Sequence, residues 1–332
     1  MDRDARDLTA AGAKPTPRFP TIVVNRAARG PGSRLRVVLL NAAGGRRLRE
    51  IAACLKRPPL KGADVILLCE VNSNVEGTKR SPVSDLAREL AESLEMSCAY
   101  VPEFGVRPPG ADSEIVSYMG SAILSAAPFE DVVAVAMHNP RAPAPWWPRL
   151  KRRGVLIGTP AGLVARVNFG GEELTVGVAH LHSRCTPAER ARQMAGYLES
   201  FPVEGRAIFG GDLNTTTTEL SSWPLMLATA RQIITNRCRF RRPMAYEPLF
   251  ELLRARGLEI EGANVVDRAT FTYSGLIPRS IRPKLDWLAV RGLRPIAGTA
   301  AVVPPRSSIL RRRASDHDFV TVDIELNRGA RC

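Results

Sequence analysis

The stretch Gly205–Thr218, GRAIFGGDLNTTTT, decides how the rest of the chain is read. Ala207, Ile208 and Phe209 form a short apolar run, long enough for the end of a buried strand. Gly210 and Gly211 then break the regular pattern. Asp212 and Asn214 follow one residue apart, so on extended backbone both side chains point the same way. A carboxylate and a neutral amide thus stand together at a strand's exit. The carboxylate can bind a hard cation, and the amide can orient a phosphate oxygen or a water without adding charge. An isolated DxN is more often an Asx turn. The functional reading therefore depends on partners from elsewhere in the chain.

Other apolar runs end the same way. Leu35–Asn41 (LRVVLLN) reads as a buried strand closed by Asn41. Ala63–Glu70 (ADVILLCE) ends abruptly in Glu70, an expensive place for an unpaired carboxylate. Leu163–Val167 and Leu174–His182 read as a hairpin turning at Gly170–Gly171, and the second arm carries His180 and His182. Lys284–Val290 (KLDWLAV) is a strand holding a buried Asp286. Ser315, Asp316 and His317 lead into a closing strand, Phe319–Leu326. Further strands are expected from Tyr100, over Gly120–Ser125 and over Val132–Met137. Helical spacing marks Leu48–Lys56, Asp85–Leu94, Pro187–Leu198 and Pro248–Arg256. Thr186, with Glu189 three residues on, is the expected cap of the third helix. If the polar strand ends converge, they make an acidic pocket that needs a cation. Carboxylate oxygens select Mg²⁺, Mn²⁺ or Ca²⁺ over zinc.

The chain has 332 residues, 45% of them hydrophobic, with 47 Lys+Arg against 33 Asp+Glu and a formal charge of +14. That surface favours anionic partners such as nucleic acid, phospholipid headgroups or phosphorylated small molecules. The charge is scattered, as compositional bias alone would also make it. Six cysteines without a CxxC pair argue against a zinc site and a disulfide framework, and fit a reducing compartment. No apolar run is long enough to span a bilayer, and the first twenty residues lack a signal peptide's apolar core. A soluble, cytoplasmic monomer is expected. Residues 1–33, rich in Pro, Gly, Ala and Arg, read as a flexible arm, and residues 34–327 as one domain. The segment His138–Gly154 holds four prolines, which preclude helix or sheet. Its Trp146 and Arg153 are candidates to stack on a ring or to hold a phosphate at a cleft rim.

In order, these motifs resemble those of the endonuclease/exonuclease/phosphatase superfamily, which includes deoxyribonuclease I, abasic-site endonucleases, neutral sphingomyelinases and inositol polyphosphate 5-phosphatases. LLN at 39–41 looks like the first-strand Asn motif, and ADVILLCEV at 63–71 like the metal-binding Glu motif, with Cys69 where Gln or Asn is commoner. MGSAILS at 119–125 is similar to GNAILS, with Ser121 for Asn. VAHLHS at 178–183 resembles the THL segment, followed by Arg192-Gln193; GGDLN, KLDWL and SDH complete the set.

The resemblance implies an α/β (α+β) deoxyribonuclease I-like fold: a four-layer sandwich of two packed mixed β-sheets flanked by helices. It implies Glu70 as principal Mg²⁺ ligand (Mn²⁺ being an alternative), with Asn41 and Asp316 completing the metal environment. Asp212 would bind or deprotonate the attacking water, and Asn214 would hold the phosphate or that water. His180 would donate to phosphate oxygens, with His182 behind it. His317, oriented by Asp286, would act as base or phosphate donor. The expected function is Mg²⁺-dependent hydrolysis of a phosphate ester, with a nucleic-acid phosphodiester the favoured substrate. A phospholipid or phosphorylated-metabolite hydrolase is the alternative enzyme, and a non-catalytic nucleic-acid-binding protein the alternative of another class.

Overall fold

A computed structural model describes residues 21–26, 32–45, 47–74, 85–107, 117–140, 155–217, 242–272, 282–306 and 313–326, with 227, 228, 231, 232, 235, 236 and 239. Its strands are β1 (Ile22–Val24), β2 (Arg34–Asn41), β3 (Val65–Asn74), β4 (Ser97–Arg107), β5 (Ser117–Ser125), β6 (Phe129–Ala136), β7 (Val155–Gly158), β8 (Ala161–Phe169), β9 (Glu172–His180), β10 (Ala207–Asp212), β11 (Asp286–Arg291), β12 (Arg294–Pro295), β13 (Ala301–Val303) and β14 (Phe319–Glu325). Helices α1 (Leu48–Leu55), α2 (Leu86–Leu94), α3 (Pro187–Glu199) and α4 (Leu249–Ala255) flank them.

Among the described residues the strands form two mixed sheets. One runs β1-β4-β5-β3-β2-β14-β12, with β13 on β14 and β7 on β4; the other runs β11-β10-β9-β8-β6. The near-continuous apolar runs are explained by burial on both faces. Leu35, Val37 and Leu39 of β2 point between the sheets, toward Val176, Val178 and Ile208. Val38 and Leu40 point the other way, under Ile51 and Leu55 of α1 and Leu86 and Leu90 of α2. On the far side of the second sheet, Phe209 and Trp287 pack against Met194 and Tyr197 of α3 and Phe250 of α4. The layers are therefore helix, sheet, sheet, helix. Truncating Ile208 to Ala would leave a cavity between the sheets and cost about 2–5 kcal/mol.

The glycine pair of the opening stretch is required by packing. A Cβ on Gly210 would lie 2.7 Å from Leu288 and 2.8 Å from Leu67, and one on Gly211 would lie 1.8 Å from the Ala179 carbonyl oxygen. β10 thus lies hard against its neighbours, and this brings its last residue, Asp212, against the facing sheet. The capping box at α3 is present: the Thr186 hydroxyl accepts from Glu189 N at 3.2 Å, and the Glu189 carboxylate accepts from Thr186 N at 2.8 Å.

Two local expectations are corrected. Ile22–Val24, assigned above to the arm, pairs antiparallel with β4, and the Asn25 side chain bonds both the N–H and the carbonyl of Phe129. The third strand does not stop at Glu70. It continues to Asn74, with Glu70 in a bulge at φ 51°. A bulge re-aims one side chain without ending the ladder, and here that side chain is the carboxylate.

Candidate active site

Sheet register sets the first row of the site. Asp212 pairs with His180 across parallel β9 and with Asp286 across antiparallel β11. The facing sheet brings Asn41, at the end of β2, and the bulged Glu70. The Asn41 amide nitrogen donates to Asp212 Oδ2 at 2.8 Å and to Glu70 Oε1 at 3.2 Å, while its oxygen accepts from Ala43 N. One amide therefore ties together carboxylates from both sheets. His317 arrives on the segment before β14. There the Ser315 hydroxyl donates to the Asn41 carbonyl and accepts from His317 N.

A cleft of about 730 Å³ is lined by Glu70, His180, Asp212, Asn214, Asp316 and His317, with Asn41 and Asp286 bonded behind it. Asp316 is exposed at its edge. Trp146 and Arg153 lie outside the described residues. Of the arginines between β10 and α4, Arg239 donates to Thr217 and Arg242 pairs with Asp267. Arg237 and Arg241 lie outside the described residues.

The extended DxN of the sequence reading is not observed. β10 ends at Asp212, and Asn214 takes a left-handed φ of 47°. Its N–H donates to Asp212 Oδ1 at 3.0 Å, and its side-chain nitrogen donates to the Leu181 carbonyl at 2.7 Å. The turn geometry and the functional placement coexist, since Asn214 still lines the cleft. His182 also departs from the expectation that it shares a strand face with His180. β9 stops at His180, and His182 sits in a turn where its Nδ1 accepts from Arg184 N. Burial, His180 and Arg184 all hold its pKa below the usual histidine value.

The two imidazoles nearest Asp212 differ in their support. His317 Nδ1 lies 2.8 Å from Asp286 Oδ2, and Nε2 lies 3.7 Å from Asp212 Oδ2. Burial opposes its charge, but Asp286 and Asp212 outweigh burial and push the pKa up to about 10. His180 Nε2 lies 3.8 Å from Glu70 and 3.9 Å from Asp212, and its Nδ1 lies 3.8 Å from Glu103. Burial again opposes the charge, and Glu103, Asp212 and Glu70 raise the His180 pKa above its usual value.

Glu103 is the residue that sequence reasoning missed. It is 2% exposed, accepts from the Ser121 hydroxyl at 2.6 Å, and is pushed by burial to a pKa of about 7 despite His180 and Ser121. The available signal was a lone carboxylate inside the apolar strand that starts at Tyr100, the same anomaly that marked Glu70. Ser121, noted as a departure from the family's Asn, is its hydrogen-bond donor. In α3, Gln193 of the Arg192-Gln193 pair is buried and Arg192 is exposed, while Arg190 is also buried.

Ligand atoms of Glu70, His180 and Asp212 lie within 4.8 Å of one another, as do those of Asp212, Asp286 and His317. The first group fits a divalent cation. It is rich in carboxylate oxygen, and the Glu70 side chain is 32% exposed toward the cleft, leaving room for water on the ion. The second is buried, and its closest contact is a short imidazole–carboxylate hydrogen bond, which suits orienting a histidine better than ligating metal.

Solved structures share this fold. An endonuclease/exonuclease/phosphatase from Beutenbergia cavernae superposes with a TM-score of 0.57 at 19% identity, covering 89% of this chain and 72% of that one. The fold is that of the endonuclease/exonuclease/phosphatase superfamily. A family protein from Leptotrichia buccalis matches with a TM-score of 0.58 at 14% identity over 88% of this chain and 100% of that one. TDP2 of D. rerio, complexed with single-strand DNA product, matches with a TM-score of 0.51 at 17% identity over 89% of this chain and 100% of that one. No protein-family model and no curated protein matches the sequence. Among the described residues no helix is long and apolar enough to cross a membrane.

Proposed function

We propose that the protein is a divalent-metal-dependent phosphohydrolase that cleaves a phosphodiester, most plausibly of nucleic acid, by in-line attack of water. The observation that carries this reading is the meeting of Glu70, His180, Asp212 and His317 in one cleft, with Asn41 and Asp286 hydrogen-bonded behind them. Glu70 would hold Mg²⁺ or Mn²⁺, with Asn41 and Asp316 beside it; a bound cation supplies charge neutralisation for an anionic ester and its leaving oxygen.

The chain's own groups do the rest. Asp212 takes the proton of the attacking water, its carboxylate steadied by Asn41 and by the Asn214 N–H. His317, kept cationic by Asp286 and Asp212, donates from Nε2 to a non-bridging oxygen. The free hydrogen of the Asn214 amide and the His180 imidazole supply further donors on the same phosphate. His180, backed by Glu103, is also placed to return a proton to the departing oxygen.

Nucleic acid is favoured by the charge of +14 and by the likeness to a DNA-bound TDP2. The test sets plasmid DNA, bis-p-nitrophenyl phosphate and p-nitrophenyl phosphate side by side. EDTA should stop hydrolysis, and Mg²⁺ or Mn²⁺ should restore it; hydrolysis indifferent to EDTA rules the mechanism out. Raising salt from about 50 to 200 mM should weaken DNA cleavage far more than cleavage of the small diester. Preference for the monoester would move the reading to a phosphorylated metabolite.

A further inference from the structure

Behind the cleft lies a buried ion pair that the reaction does not touch. Arg190 of α3 and Glu247, just before α4, both have side chains 0% exposed and meet through two hydrogen bonds, at 2.6 and 3.1 Å. A third guanidinium bond, at 2.7 Å, goes to the Cys185 carbonyl. Glu247 Oε1 also accepts from the backbone N–H of Thr217 at 2.7 Å. An ion pair in this setting is a poor way to gain stability, because desolvation offsets the attraction. What the pair does here is present a fixed acceptor to one loop.

That loop is the one leaving Asp212. It runs from Asn214 at φ 47° to Thr217 at φ 60°, two non-glycine residues in the left-handed region within four positions. Such a path persists only where neighbours over-determine it. Asn214 anchors the near end through Asp212 and Leu181. Thr217 anchors the far end: Glu247 takes its N–H, and Arg239 donates to its carbonyl at 2.8 Å and to its hydroxyl at 3.1 Å. Between them, Thr216 N donates to the Asn214 carbonyl at 2.7 Å.

We propose that Glu247, locked by Arg190, is a positioning residue: by holding Thr217 it sets the left-handed turn that aims the Asn214 amide into the cleft. This rests on the phosphohydrolase reading above.

The test replaces the pair with apolar groups, Arg190→Met with Glu247→Leu, so that no lone charge is left buried. The melting temperature should be retained. On bis-p-nitrophenyl phosphate with Mg²⁺, kcat should fall about 10- to 100-fold with KM little changed, the cost of a small misplacement. In an Asn214→Ala background the same pair of changes should cost almost nothing more, because the two act as one unit. Arg190→Met with Glu247→Gln keeps an oxygen for the Thr217 N–H, again without a lone buried charge, and should recover most of kcat. Amide exchange at Thr217 should be slow in the unaltered protein and fast in the Arg190→Met, Glu247→Leu variant, a readout that needs no chemistry.

Unaltered kcat in the Arg190→Met, Glu247→Leu variant, multiplicative losses with Asn214→Ala, an Arg190→Met, Glu247→Gln protein as slow as that variant, or fast Thr217 exchange in the unaltered protein would each overturn the proposal. An unaltered protein that hydrolyses none of the esters overturns the phosphohydrolase reading instead, and Thr217 exchange then still decides whether Glu247 anchors the loop.

Discussion

His317 and His180 both face Asp212, both have a carboxylate behind them, and the two pairs are built differently. The His317 pair is closed, with Nδ1 and Asp286 2.8 Å apart. The His180 pair is open, with Nδ1 3.8 Å from Glu103 Oε2, while Oε1 of the same carboxyl accepts from Ser121. A closed pair fixes tautomer and ring orientation before substrate arrives. An open pair shares its proton loosely and can pass one on. On the proposed function, the difference gives a division of labour: His317 as a preset electrostatic donor, His180 as the partner of the leaving group.

The largest effect expected is at the shared centre. Asp212→Asn and His317→Ala should each lower turnover by about 10³-fold or more, with circular dichroism unchanged. Full activity in either variant would break the role assignment.

The contrast itself is tested next. Asp286→Asn should cost about 10²- to 10³-fold because it removes the partner that sets the His317 tautomer, whereas Glu103→Gln should cost roughly tenfold. Equal losses would erase the distinction between closed and open pairs.

Glu103 also predicts a pH effect on stability. Its pKa is raised from 4.5 to about 7 by burial. Between those values the folded, metal-free protein keeps a proton that the unfolded chain releases. Stability should therefore be greatest below the unfolded value and fall as pH rises toward 7, by on the order of 1–3 kcal/mol. Urea midpoints measured in EDTA should show this slope, and Glu103→Gln should flatten it. An unchanged slope would mean that the His180 pair holds no such proton.

The smallest effect belongs to His182, whose Nδ1 is committed to Arg184 N. His182→Ala should change turnover only a few-fold, roughly the loss of one neutral hydrogen bond. A loss as large as that of His180→Ala would mean the imidazole roles are misassigned.

Most of the site could be read from the chain because its residues interrupt strong patterns. Asn41, Asp212 and Asp286 sit at the ends of apolar strands, and His317 lies two residues before another. Glu70 was visible for the same reason, although the bulge that aims it was not. A bulge depends on how two strands pair, and the local run of apolar residues carries no record of that. Glu103 escaped notice because nothing near it in sequence is polar enough to mark a strand end. Arg190 went unremarked because helical spacing alone does not say which arginine of a helix faces inward.

The sequence by itself determined the elements and the chemical inventory: burial periodicity, capping residues and glycines act locally, within a few residues. Only the tertiary structure decided the partnerships, Asn41 bridging Glu70 and Asp212, Ser121 on Glu103, and Glu247 on Thr217. These are set by the register between strands and by the packing of one sheet on the other. Hydrogen bonds act over about 3 Å, and residues far apart in the chain reach that distance only once the sheets have closed.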